Sequence, residues 1–200
     1  MAKKSPPDGY SEFTEYDVPE KIIGVGTILL LIVQILLVFP GIVGWLSNEI
    51  DGDIVRILTI SLDEILLIGA MVVVHEGIHY AVSLTQGYSP TVGVYFVKQF
   101  HGIKEPTPYV VVLNEFISRK ENIAMLSMPL LVIDAIALIA IAPIFPEPVA
   151  YYAKVVLIVN TSASLQDVYN VVRIWTMEED TLFLNTREDE IRSVYCTAKN

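Results

Sequence analysis

From Ile22 to Leu46 the chain runs without one charged residue, and this stretch constrains the fold more than any motif does. So long an apolar run is hard to cover within a small soluble domain, whereas a helix rising about 1.5 Å per residue lets it cross the ~30 Å core of a bilayer. Three more apolar stretches follow, at about 62–86, 123–144 and 149–175. Composition agrees, with 53% hydrophobic residues, only 18% charged ones and a mean hydropathy of +0.53. The expected fold is mainly α. It is a single membrane-embedded domain over residues 1–200, with four transmembrane helices at about 22–46, 62–86, 123–144 and 149–175, a β-hairpin-like insertion at 88–115 between the second and third, and a short cytoplasmic tail at 176–200.

Local signals place the boundaries. Pro19-Glu20-Lys21 opens the first span and Pro40-Gly41 should kink its end. Ser61-Leu62-Asp63-Glu64 fits a capping box, which puts Asp63 and Glu64 in the first turn of the second span, and Gly87 should terminate that helix. Val92 to Val97 and Tyr109 to Leu113 are β-prone, with Gly102 and Pro106-Thr107-Pro108 between them. A hairpin there, with an open edge, can take up an extended peptide as an added strand; the alternative is an amphipathic loop without substrate contact. Pro143, Pro146 and Pro148 mark a tight turn between the third and fourth spans.

Charge narrows the partners. A net charge of -10 argues against nucleic acid. Of the 13 Lys and Arg residues, four spans leave only Arg56 and Lys154 on one side; the other eleven fall on the side of the termini. The positive-inside rule then gives a multi-pass protein of the cell membrane with both termini in the cytoplasm. Cys196 is the lone cysteine, so neither an internal disulfide nor a thiolate pair for a metal is available. The N-terminal arm lacks the apolar core of a signal peptide.

Inside the second span stands His75-Glu76-Gly77-Ile78-His79. Residues four apart share a helix face, so both imidazoles can reach one Zn²⁺ while Glu76 is placed to act as general base toward an activated water. Ionisable groups in a membrane helix cost a few kcal/mol each, which favours a functional reading over an accidental one. Both the second and the fourth spans run toward the cytoplasm, so depth can be counted from their ends. His79, His75 and Asp167 all fall roughly 10 to 17 Å from those ends at 1.5 Å per residue. Asp167 is therefore the expected third ligand, with Asp134 of the third span as its rival. Asn160 and Ser164 share a face with Asp167, where they can orient substrate or a ligand, or simply hydrogen-bond between helices. His101 can assist an oxyanion or be a plain loop residue.

With His75-Glu76-Gly77-Ile78-His79 in one span, Asn160-x-x-x-Ser164-x-x-Asp167 in a later one and a β-prone insertion between them, the chain resembles the zincin peptidase family of membrane proteins and, more distantly, the site-2 protease type of metalloprotease. Asp167 is followed by Val168 where site-2 proteases carry glycine, which favours the first family. The resemblance implies intramembrane proteolysis: a zinc-dependent endopeptidase acting on membrane proteins or peptides in or beside the lipid bilayer. The alternative is a membrane protein that binds metal without proteolysis, in a structural, sensing or scaffold role.

Overall fold

The computed structural model describes the backbone at residues 4–40, 54–98, 104–187 and 191–199. The last part of the expected first span (41–46), the start of the polar linker (47–53) and His101 lie outside the described residues. The elements in chain order are β1 (Thr14–Glu15), α1 (Glu20–Val38), α2 (Ile54–Thr85), β2 (Pro90–Lys98), β3 (Lys104–Val112), β4 (Phe116–Ser118), α3 (Arg119–Ala140), α4 (Glu147–Ala163), α5 (Leu165–Trp175), β5 (Leu182–Arg187) and β6 (Ile191–Cys196).

Among the described residues, three helices are long and apolar enough to cross a membrane: Lys21–Val38, Leu62–Thr85 and Arg119–Ala140. Their apolar side chains stand largely uncovered, with Ile22 74%, Val73 72% and Ile139 64% exposed. Hydrocarbon is the solvent that suits such a surface, because a helix satisfies its own backbone hydrogen bonds. Together these features indicate a membrane protein.

Two boundaries differ from expectation. α2 is already helical at Ile54, so Ser61-x-x-Glu64 lies inside the helix and does not mark its start. Glu64 instead accepts a hydrogen bond from the Tyr151 hydroxyl. The operative capping box is Ser118-x-x-Glu121. There the Ser118 N–H donates to Glu121 Oε2 at 3.1 Å and the Glu121 N–H donates to Ser118 Oγ at 3.3 Å. It starts α3 at Arg119, ahead of the expected 123. The end of α2 is as the sequence suggests: Gly87 has φ 87°, its N–H reaches Leu84 O at 3.0 Å, and that of Tyr88 reaches Ser83 O at 3.1 Å. That pair of bonds is a Schellman motif.

The stretch expected as one helix over 149–175 is two. α4 stops at Ala163, Ser164 has φ -74° and ψ 0°, and α5 begins at Leu165. Neither α4 nor α5 is among the three candidate spans. The polar run Asn160-Thr161-Ser162 with Ser164 supplies side chains that compete with the helix for backbone groups. Ser162 Oγ is turned away to Gln34 Oε1 of α1, 2.7 Å distant.

The chain divides into two compact units. One comprises Met1–Val18, Glu76–Met128 and Asp167–Asn200. It holds the β2–β3 hairpin, in register from Pro90 opposite Val112 to Lys98 opposite Lys104, and an antiparallel sheet in the order β1-β6-β5-β4. The C-terminal segment thus forms a hairpin flanked by the N-terminal arm and β4. Val112, Ile117, Met125, Ile174 and Phe183 form the core of this unit, with Tyr16 and Tyr195 packed against it. Burial pushes the Tyr16 hydroxyl up to about 12, against the opposing pull of the Arg173 guanidinium 4.2 Å from its ring centroid. The other unit comprises Pro19–His75 and Pro129–Gln166. In it α1 packs on α4, and Gly26 lets α1 approach Leu165, just past the end of α4, since a Cβ there would meet Leu165 Cδ2 at 3.0 Å.

Candidate metal centre

α2 carries both motif histidines, one helical turn apart, and the division between the units falls between His75 and Glu76 inside this continuous helix. Each histidine is held by partners in its own unit. His75 is 9% exposed, and its Nδ1 lies 3.0 Å from Oδ1 of Asn160. An imidazole nitrogen facing a carbonyl oxygen carries the proton, so the lone pair of His75 is on Nε2. Asn160 is fully buried and donates from Nδ2 to Asp134 Oδ1 at 2.8 Å.

His79 follows the same rule with a different partner. Its Nδ1 lies 2.8 Å from the main-chain oxygen of Met125 in α3, so its lone pair too is on Nε2. The availability of that oxygen traces to Pro129, the proline inside α3. In a regular helix the carbonyl of residue 125 accepts from the N–H of residue 129, and proline has none. Outer partners of this kind orient an imidazole and raise its basicity as a metal ligand.

Asp167 sits in the first turn of α5, and its Oδ2 is 3.5 Å from His79 Nε2. That separation exceeds the usual hydrogen-bond range of about 2.7–3.2 Å. It is close to the ~3.4 Å between two ligands set at tetrahedral angles about 2.0–2.1 Å from one ion. His75 stands one turn before His79 on the same helix, and His75, His79 and Asp167 can each offer one ligand atom to a candidate metal site. Two imidazoles with lone pairs on Nε2 and one carboxylate form a donor set that fits zinc. No thiol competes, since Cys196 is buried in β6 and burial pushes its pKa up.

The other residues singled out in the sequence fall as follows. Glu76 is partly buried, next after His75 on α2. Asp134 stands apart from the three-residue group, its Oδ1 taken by Asn160 and its Oδ2 by the Thr161 hydroxyl at 2.7 Å. Ser164 is fully buried at the α4–α5 break, and its Oγ has no hydrogen-bond partner. The count from the helix ends assumed one helix over 149–175; the stretch from Asp167 to Trp175 lies within α5, which begins after the break at Ser164. Sequence reasoning missed Met125 and Thr161. Pro129 was the available signal for the first, because a proline within a helix announces an unpaired carbonyl four residues earlier.

Residues 68–182 match the family model described as "Putative zincin peptidase". The chain belongs to that family. No curated protein and no solved structure matches it. Membership in the zincin peptidase family makes the chain a metallopeptidase and implies zinc as its metal. The matched zincin peptidase range holds His75, Glu76, His79, Asp134, Asn160, Ser164 and Asp167 and leaves out α1.

Proposed function

We propose that the protein is a zinc-dependent intramembrane endopeptidase in which His75, His79 and Asp167 hold the metal and Glu76 is the general base. One observation carries this reading. Both Nδ1 atoms face carbonyl oxygens, those of Asn160 and Met125, so each ring carries its lone pair on Nε2, the tautomer that ligates a metal, and His79 Nε2 stands 3.5 Å from Asp167 Oδ2. Asp134, which would close the site as a fourth ligand, is engaged with Asn160 and Thr161. That leaves a coordination position for water and favours hydrolysis over a closed structural site.

Zinc bound there supplies a Lewis acid that lowers the pKa of a coordinated water toward ~7. Glu76 accepts the proton lost on attack at the scissile carbonyl and delivers it to the departing amine. Asn160 holds the His75 ring in the tautomer that ligates, and the Met125 carbonyl does the same for His79. In a water-poor setting such fixed dipoles act with little screening.

In this reading the site lies within the membrane, with α4 and α5 together making a fourth crossing; the three long apolar helices support it. Eleven of the 13 Lys and Arg residues then lie on the cytoplasmic side with both termini. The substrates are membrane proteins or peptides presented in extended form, and the β2–β3 hairpin offers an edge for them. The test is Glu76→Gln, expressed in place of the wild type and followed by quantifying the cleavage products of membrane proteins. The variant is expected to keep its zinc and lose cleavage. A zinc-loaded Glu76→Gln protein that still cleaves would refute the assignment.

A further inference from the structure

We propose that Asp134 is a positioning residue for the metal site, acting through Asn160 to decide which ring nitrogen of His75 carries the proton. The inference rests on the zinc reading above and extends it to a carboxylate that is not a ligand.

The chain of hydrogen bonds runs from α3 through α4 to α2. Thr161 Oγ1 lies 2.7 Å from Asp134 Oδ2, Asn160 Nδ2 lies 2.8 Å from Asp134 Oδ1, and Asn160 Oδ1 lies 3.0 Å from His75 Nδ1. A primary amide has one donating end and one accepting end, and the two look alike in shape. What distinguishes them here is Asp134, because a carboxylate accepts and does not donate. The NH₂ of Asn160 must therefore face Asp134, and its carbonyl must face His75. His75 then has to donate from Nδ1, and its ligating lone pair is forced onto Nε2. The Thr161 hydroxyl lies 2.7 Å from the second carboxylate oxygen and shares its one proton between that oxygen and the Leu157 carbonyl, also 2.7 Å away.

The setting supports a role beyond packing. Asp134 lies well inside α3, one of the three apolar helices, where an ionisable side chain costs a few kcal/mol relative to a leucine. Asn160 is fully buried, so no solvent competes for either end of its amide, and the orientation set at Asp134 is passed on undiluted.

The test measures zinc affinity by chelator competition on the purified full chain in lipid nanodiscs, with the thermal unfolding midpoint of the metal-free protein recorded alongside. Asp134→Leu is expected to weaken zinc binding about 10- to 100-fold while shifting the metal-free midpoint little, since the unpaired Asn160 amide offsets what leucine gains in a membrane helix. Asn160→Asp sets two acceptors against each other and is expected to weaken binding to a similar degree. The double variant Asp134→Asn with Asn160→Asp restores a donor opposite an acceptor and leaves a carboxylate oxygen for His75 Nδ1, so its affinity should return to within a few-fold of wild type. Wild-type affinity in Asp134→Leu, or a double variant no tighter than Asn160→Asp alone, would overturn the proposal. A lowered midpoint with intact affinity would reduce Asp134 to a packing role and also overturn it. Wild-type protein that binds no zinc would instead overturn the metal-site reading on which the proposal rests.

Discussion

His75 is oriented by a buried side chain, Asn160, itself set by Asp134, whereas His79, one turn further along the same helix, is oriented by the main-chain carbonyl of Met125. Both arrangements commit Nδ1 and leave the lone pair on Nε2, but they differ in what maintains them. The hold on His75 depends on the chemistry of two side chains, so single substitutions there can reverse its polarity. The hold on His79 depends on an oxygen that every residue type carries, and its weak point is Pro129, whose missing N–H leaves that oxygen available. α3 serves both, with Met125 for one histidine and Asp134 for the other.

The most severe way to break the comparison is to remove a ring. His75→Ala and His79→Ala are each expected to lower zinc affinity by more than the roughly 10- to 100-fold typical of losing an outer partner. Chelator competition measures both, and a loss below tenfold in either would remove that histidine from the ligand set. Pro129→Ala is expected to come next. Its restored N–H competes for Met125 O, and the weakened hold on His79 should reduce affinity by about tenfold while the hold on His75 is untouched. Unchanged affinity would mean that only the side-chain hold matters.

Smaller effects should leave both holds alone. Ser118→Ala removes the capping box at the start of α3 and should lower unfolding stability by about 1 kcal/mol in denaturant titration, with zinc affinity unaltered. A change in affinity would show that the end of α3 is coupled to the site. The last effect is confined to alkaline pH. The Tyr16 pKa is raised from 10.0 to about 12, so the folded state binds this proton more tightly than the unfolded one. The resulting stability is fully present below pH 10 and declines as pH climbs toward 12. Comparing alkaline unfolding of the wild type with Tyr16→Phe isolates it, and identical profiles would contradict the shift.

Much of the candidate centre was legible because its spacing is local. His75 and His79 are related by one turn of one helix, and Asp167 by a count along another. Gly87 was legible for the same reason, since a positive φ after a helix favours glycine. Ser61-x-x-Glu64 and Ser118-x-x-Glu121 show where that ends. The two patterns match, but Ser118 is paired to Leu182 in β5 and so stands at the end of a strand, while helix already precedes Ser61. That pairing joins residues far apart in sequence, as does Thr14 opposite Tyr195 in the sheet that the terminal segments build. The break at Ser164 was hidden because a polar run reads alike whether its side chains bridge helices or interrupt one. Met125 was hidden for a simpler reason: the atom that matters belongs to the backbone.

Zinc-edge X-ray absorption on the purified full chain tests the centre most directly. The spectrum is expected to show two imidazole nitrogens and a remaining shell of oxygen, with no sulfur, and to be the same for Glu76→Gln. A spectrum with fewer than two imidazoles, or with sulfur bound, would contradict the assignment of His75, His79 and Asp167.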